Sequence, residues 1–130
     1  MAGTIVANTI NTDTGLFSTN NAYSGIAKAW VSFVGSTASI RGSFNVSSIT
    51  RNATGTYVCN FTTATTDANY SAVGSSSSNG TSAYGGTVNM NNAAGLASVA
   101  PTTSAFSFLV TNSGGTLYDP AYVNLIVLGN

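Results

Sequence analysis

Apolar and polar residues alternate along most of this chain, so that every second residue in a run is apolar. Residues two apart lie on the same face of a β-strand, and each run therefore predicts a strand with one apolar face. The last run is apolar on both faces apart from Asn124, which predicts a central strand or an interface strand. The predicted strands span residues 27–33, 40–47, 56–62, 70–72, 106–111 and 121–128, with shorter candidates at 4–10 and 88–90.

Turn-forming sequences separate these runs. Gly35 opens the first turn, a second turn ends on Gly55, which can adopt a positive φ, and Asp119 precedes a proline before the last strand. Helix-forming residues are scarce, since glutamate and glutamine are absent. Short strands separated by such turns are typical of sandwiches and barrels. We therefore predict an all-β fold, an antiparallel β-sandwich of jelly-roll type, formed by residues 25–130 as one domain.

Two polar segments interrupt the alternation. Residues 74–86 are mostly glycine, serine, asparagine and threonine, and they predict a mobile surface loop. Residues 11–24 are also polar and irregular, with Leu16 and Phe17 as apolar exceptions, and cannot form a core of their own. We expect segment 1–24 to dock on a partner surface, which would offset the entropy lost on ordering it. An arm that is exchanged between copies of the chain is the alternative.

Charged residues make up only 5% of the chain, against roughly 25% in an average soluble domain. Histidine is also absent, and three basic and three acidic residues give a net charge of zero. Most catalytic bases and metal ligands come from the missing residue types, so we expect no enzyme, no cofactor and no metal site. Without a basic patch or a long apolar run, neither nucleic acid nor a membrane is an expected partner. So little charge favours self-association, and we expect a homotrimer.

A few side chains are candidates for specific roles. The three aspartates, Asp13, Asp67 and Asp119, fit turn capping better than catalysis. Cys59 has no histidine to activate it and is predicted to be a small core residue.

Trp30 lies on the polar side of its run, where it is either a stacking platform for a sugar or a buried contact. An adhesin should leave it exposed in a groove, whereas a structural trimer should bury it. The candidate contacts with copies or with other particle proteins are Leu16, Phe17, Val123, Leu125 and Val127, and those with a receptor or glycan are Trp30 and Tyr84.

Three stretches together form a pattern that resembles a β-rich module of tailed-bacteriophage virion proteins, especially tail-fibre-like ones. They are A-K-A-W-V at 27–31, S-F-N-V-S-S followed by N-x-T-G-x-Y at 43–57, and D-A-N-Y at 67–70. The similarity covers about residues 22–73. It implies an external virion protein, usually trimeric, that supports the particle or touches the host surface, and it supplies no catalytic residues.

The chain begins only about twenty residues before this module. We therefore expect a stand-alone capsid decoration (cement) protein, a short head fibre or a spike rather than a full tail fibre. Its expected partners are copies of itself and other virion proteins such as the major capsid protein. Its expected location is the exterior of the particle, after assembly in the host cytoplasm. The alternative function is a carbohydrate-binding adhesin, or a receptor-binding module of a tail fibre that contacts a host-surface glycan.

Overall fold

The computed structural model describes residues 9–12, 15–18, 25–78, 86–90, 92 and 98–129. Every element that can be bounded within these residues is a β-strand, as the alternation predicts. The strands are β1 (Thr9–Thr12), β2 (Gly15–Ser18), β3 (Ala27–Val34), β4 (Ser39–Phe44), β5 (Val46–Ala53), β6 (Thr56–Phe61), β7 (Ser71–Ser76), β8 (Thr87–Met90), β9 (Ala105–Thr111) and β10 (Val123–Leu128).

Strands β3 to β10 form two four-stranded sheets in which all neighbours are antiparallel. The front sheet has the order β4-β3-β10-β7, and the back sheet has the order β5-β6-β9-β8. Strands β1 and β2 form a separate two-stranded hairpin. The predicted antiparallel all-β fold is confirmed, and β10 is a central strand, as its run predicts. The connections β3–β4, β5–β6 and β8–β9 stay within one sheet, and the other connections between β3 and β10 cross from one sheet to the other.

The core lies between the two sheets and contains inward-facing residues from both. Phe33 of the front sheet meets Tyr57 of the back sheet edge-to-face, with ring centroids 5.4 Å apart. Tyr57 in turn stacks on Phe108 with centroids 5.3 Å apart. Such aromatic pairs bury large areas, and they fix the two sheets as one sandwich. Cys59 is a core residue, as predicted, and burial raises the pKa of its thiol to about 12.

The sequence-based prediction of one strand across β4 and β5 is wrong, because the chain crosses from the front to the back sheet at Asn45. Asn45 has a φ of 55°, a left-handed conformation that asparagine tolerates better than most residues. Its side-chain amide holds the corner by donating to the Lys28 carbonyl at 3.0 Å and accepting from the Thr63 amide at 2.8 Å. The alternation is therefore reset, so that Phe44 points outward while Val46 is buried.

Both segments that were predicted to be irregular contain strands. Strand β7 extends to Ser76, so the first three residues of the predicted loop 74–86 pair with β10. Ser76 also forms a bridge with Gly86, and most of the loop between them lies outside the described residues. Strand β2 and part of β1 lie within the segment 11–24. None of these runs continues a regular apolar–polar alternation, and their strand conformation comes from pairing rather than from pattern.

Candidate functional site

A row of apolar side chains crosses the outer face of the front sheet from edge to edge. Phe44 of β4 is paired in register with Trp30 of β3, Trp30 with Ile126 of β10, and Ile126 with Val73 of β7. Directly paired residues of antiparallel strands lie side by side on one face. Their exposed fractions are 55% for Phe44, 43% for Trp30, 37% for Ile126 and 54% for Val73. We call these four residues the apolar row.

Trp30 is the largest member of the apolar row. Its indole ring lies over Gly42 of β4, since a Cβ built at Gly42 would be 3.5 Å from two ring atoms. That distance is an ordinary van der Waals contact. The alternation in β3 predicts that Trp30 faces away from the core, and the structure confirms this orientation. An exposed indole suits both a sugar platform and a contact between chains, because each would bury the same ring.

A β-bulge places a cation close to the apolar row. The register between β3 and β4 skips from the pair Ser32–Gly42 to the pair Phe33–Ile40, so that Arg41 is the extra residue. The Arg41 guanidinium lies 4.6 Å from the ring centroid of Tyr122, which makes a cation–π contact. This contact connects the edge strand β4 to the segment that leads into the central strand β10.

A shallow depression lies between β7 and β10. Its volume is about 320 Å³, and its lining residues are Val73, Gly74, Ser75, Asn124, Leu125 and Ile126. Val73 and Ile126 thus belong both to the apolar row and to the depression. Gly74 allows β7 and β10 to approach closely at this point, because a Cβ there would lie 2.9 Å from the backbone carbonyl oxygen of Asn124. The space is sufficient for one apolar side chain of a partner.

The structure corrects the contact residues predicted on β10. Val123, Leu125 and Val127 are 0%, 4% and 1% exposed, because they fill the chain's own core between the two sheets. Residues of a strand alternate between faces, so β10 presents its other side to a neighbouring molecule. That side includes Tyr122, before the strand, and Ile126, which are 48% and 37% exposed.

The other predicted contacts are placed only in part. Leu16 and Phe17 lie in β2, where Leu16 is paired with Asn11 and Phe17 with Ile10. The β1–β2 hairpin has no third strand within the described part of the chain. Tyr84 lies outside the described residues. The structure therefore brings Trp30 together with Phe44, Ile126 and Val73, none of which was singled out as an exposed contact from the sequence.

Asp119 is the centre of a polar cluster at one end of the sandwich. Its Oδ1 accepts hydrogen bonds from the Tyr57 hydroxyl at 2.6 Å and from the Gly55 amide at 2.9 Å. Its Oδ2 accepts a hydrogen bond from Nη2 of Arg51 at 2.6 Å, within an ion pair. These contacts join the β5–β6 turn to the segment before β10. The predicted structural role of Asp119 agrees with this geometry, and the Asp67 carboxylate likewise accepts from the Asn69 amide at 2.7 Å.

The pKa values in this cluster follow from its contacts. Burial alone would raise the pKa of Asp119, but the hydrogen bonds from Arg51, Gly55 and Tyr57 outweigh burial and hold it below its ordinary value. Burial, with the hydrogen bond to Asp119, raises the pKa of the Tyr57 hydroxyl far above its usual range. Asp119 is therefore ionised and Tyr57 neutral at physiological pH, and both groups are engaged in holding the turn.

Comparisons with known proteins give no relative from which a function could be transferred. No family model, no curated protein and no solved structure matches this chain. Within the described residues, no three histidine, cysteine or acidic side chains are grouped closely enough to hold a metal ion. No helix in that part of the chain is long and apolar enough to cross a membrane. The candidate functional site is therefore the apolar row, on its own geometry.

Proposed function

We propose that this chain is a non-enzymatic structural protein on the exterior of a phage particle, where it assembles with its own copies and with other virion proteins such as the major capsid protein. The observation that carries the proposal is the apolar row, which crosses the whole front sheet of a chain with only 5% charged residues. Contiguous apolar patches on a soluble protein mark interaction sites. A protein that functions within an assembly covers such a face with its neighbours.

In its finer form, the proposal is a trimeric capsid decoration (cement) protein, or a short fibre or spike, with jelly-roll topology. The resemblance of residues 27–31, 43–57 and 67–70 to a module of phage virion proteins supports it. The β1–β2 hairpin gives further support to a docking role for segment 1–24. A two-stranded hairpin is only marginally stable by itself in water, so a partner surface would stabilise it. Leu16 and Phe17 would be its apolar contacts.

A carbohydrate-binding adhesin is the second candidate, and one observation favours it. Trp30 is 43% exposed, and two polar residues lie next to it on the same face, Ser32 of its own strand and Asn124 of β10, which are paired with each other. An aromatic ring with hydroxyl and amide groups beside it can stack on a sugar and bind its hydroxyl groups. The aliphatic remainder of the apolar row favours a protein contact instead, since a sugar offers Ile126 and Val73 little apolar area.

The test of the proposed function is incorporation into particles. Deletion of residues 1–24 is expected to abolish incorporation, measured by immunoblot of purified particles, and to leave a folded oligomer. Deletion of residues 79–83 is the control, because it leaves residues 77, 78, 84 and 85 between the bridged Ser76 and Gly86. Incorporation is expected to survive it. Loss of incorporation only on the second deletion contradicts docking through segment 1–24, and absence of the intact chain from particles contradicts the proposed function.

The adhesin alternative predicts a different result. A glycan array probed with the intact chain should then show binding that Trp30→Ala abolishes. Incorporation into particles with no glycan binding supports the structural function, whereas glycan binding by a chain that is absent from particles supports the adhesin. Far-UV circular dichroism of Trp30→Ala serves as the control for folding, and little change is expected because Trp30 faces away from the core.

A further inference from the structure

The two halves of the apolar row differ in shape. On β4 and β3 the row is aromatic, and Phe44 at the sheet edge is 55% exposed. On β10 and β7 it is aliphatic, and Ile126 and Val73 flank the depression of about 320 Å³. One half thus offers exposed aromatic rings, while the other half offers a space of the size that a ring needs. This complementarity occurs within a single face of one chain.

A two-fold rotation brings these halves together in two copies. Its axis runs parallel to the strands, between the two front sheets, at the level midway between β3 and β10. Rotation about it places β4 of one copy opposite β7 of the other, and β3 opposite β10. The four residues of the apolar row are at one level along the strands because they are paired in register. The rotation keeps that level, so Phe44 meets Val73 and Trp30 meets Ile126, twice in each pair of copies.

We propose that two copies of this chain pack through their front sheets about this two-fold axis, with Phe44 of each copy seated in the depression between β7 and β10 of the other. This inference rests on the proposed function, because it names the partner of the same surface. A contact of this symmetry is isologous, and alone it forms a dimer. If the trimer expected from the sequence forms through a separate contact, the front-sheet contact would join two trimers.

The apolar row alone supplies about half of the area that such a contact needs. Taking about 150–250 Å² for each of the four side chains, the exposed fractions of the apolar row amount to roughly 400 Å² per copy. A standard protein interface buries about 800 Å² per partner, with an apolar centre and a polar rim. The apolar row would supply the centre, and Ser32, Ser75 and Asn124 beside it would supply part of the rim.

Charge favours the axis parallel to the strands. The basic residues of the front sheet, Lys28 and Arg41, are both on the β3 and β4 half, and β7 and β10 contain no charged residue. The proposed rotation therefore places each cation opposite an uncharged strand. An axis perpendicular to the strands would instead place β4 opposite β4 and β3 opposite β3, so that the two cation-bearing halves would face each other and both depressions would be left without a ring.

The decisive experiment is a charge exchange across the contact. Phe44→Lys and Val73→Asp are each expected to raise the dissociation constant at least 100-fold, because each puts an unpaired charge into both halves of the contact. The double variant Phe44→Lys with Val73→Asp is expected to recover the wild-type constant to within tenfold, since each lysine then faces an aspartate of the other copy. If the double variant associates no more tightly than the two single variants, the proposal is overturned.

Two readouts follow the association. Light scattering coupled to size exclusion is expected to give twice the chain mass of 13.1 kDa, or an even multiple of it. The chain has one tryptophan, so the emission of Trp30 is expected to shift to the red on dilution as the copies separate. Phe44→Ser and Val73→Ser are milder variants, expected to weaken association at least tenfold, and circular dichroism checks their folding.

Ile40→Ser is the matched control. Ile40 is on β4 like Phe44 and is 36% exposed, but it lies beyond the bulge, opposite the core-facing Phe33. It is expected to leave both mass and emission unchanged. An oligomer that the Phe44 and Val73 variants do not alter, or one of odd copy number only, refutes this contact while the proposed structural function stands. A wild-type chain that is monomeric and yet incorporated into particles also refutes it, whereas absence from particles refutes the proposed function itself.

Discussion

The Asp119 carboxylate is predicted to hold one end of the sandwich, and its removal is a direct test of that role. Replacing Asp119 with alanine leaves the Tyr57 hydroxyl and the Gly55 amide without their acceptor. Tyr57 is 0% exposed, so its hydroxyl has no contact with solvent in the folded chain. A buried hydroxyl left without a hydrogen bond costs about 1–3 kcal/mol, and the amide adds about 1 kcal/mol. We assign no part to Arg51, because its side of the ion pair is open to solvent.

The expected loss for Asp119→Ala is therefore about 2–4 kcal/mol of the free energy of unfolding, a large part of the 5–15 kcal/mol that is typical of a domain. Urea unfolding followed by circular dichroism measures it, and the midpoint of thermal unfolding should fall by roughly 10 °C. Asp67→Ala is the matched control, since Asp67 accepts from an exposed amide within its own turn, and it should cost less than about 1 kcal/mol.

A double-mutant cycle tests the mechanism rather than the size of the effect. In a Tyr57→Phe background the hydroxyl is already gone, so Asp119→Ala should cost about 1–3 kcal/mol less than in the wild-type chain. An unchanged cost in that background would show that the hydroxyl is not what Asp119 satisfies. A cost of under about 0.5 kcal/mol for Asp119→Ala alone, the size of an ordinary surface substitution, would refute the role of the cluster.

Three further outcomes are expected. Because the folded pKa of Asp119 is depressed, its contribution to the free energy of unfolding should be complete above about pH 4 and be lost as pH falls through the folded pKa. The free energy of unfolding of Asp119→Ala should therefore depend less on pH in acid than that of the wild-type chain. Gly55→Ala should destabilise the chain by about 2 kcal/mol or more in urea unfolding, since φ is 65° and a Cβ would lie 2.7 Å from the Val110 carbonyl; a loss of under about 0.5 kcal/mol would contradict this. Cys59 should react with a thiol reagent only as the chain unfolds, because it is buried with its pKa raised to about 12, and rapid labelling of the folded chain would contradict this.

The period-two pattern was sufficient to predict strands β3, β6, β9 and β10 and, in the first three of them, the residues that face the core. The inward positions of β3, β6 and β9 are set locally by alternation, and the positive φ of Gly55 is set locally by the need for a tight turn. The corner at Asn45 was missed because alternation continues through it without a break. The tolerance of asparagine for left-handed conformations was the available signal.

The apolar row and the Asp119 cluster depend on contacts between distant parts of the chain. Asp119 is 62 residues from Tyr57 and 68 from Arg51, and no local pattern connects them. The apolar row requires the order and register of four strands, in which β10 returns beside β3 and receives β7 on its other side. Strand β7 itself is poor in strand-forming residues and is held by β10, so its sequence resembles a loop. The apolar row, the Asp119 cluster and strand β7 therefore depend on tertiary pairing, which the local alternation does not reveal.

The two sheets differ in how their outer faces are composed of uncharged residues. The back sheet presents polar side chains, and the front sheet presents the apolar row. On the back sheet, Nδ2 of Asn60 donates to Oγ of Ser48 and to Oγ1 of Thr50, both at 3.1 Å, so neighbouring polar groups satisfy one another and remain wetted. Within the described residues, no large apolar side chain of the back-sheet strands is exposed. The apolar row has no hydrogen-bonding groups apart from the Trp30 indole and gains nothing from water. It also lies outside the core, so folding of the single chain does not account for it. The proposed contact through the front sheets would account for this asymmetry between the two faces.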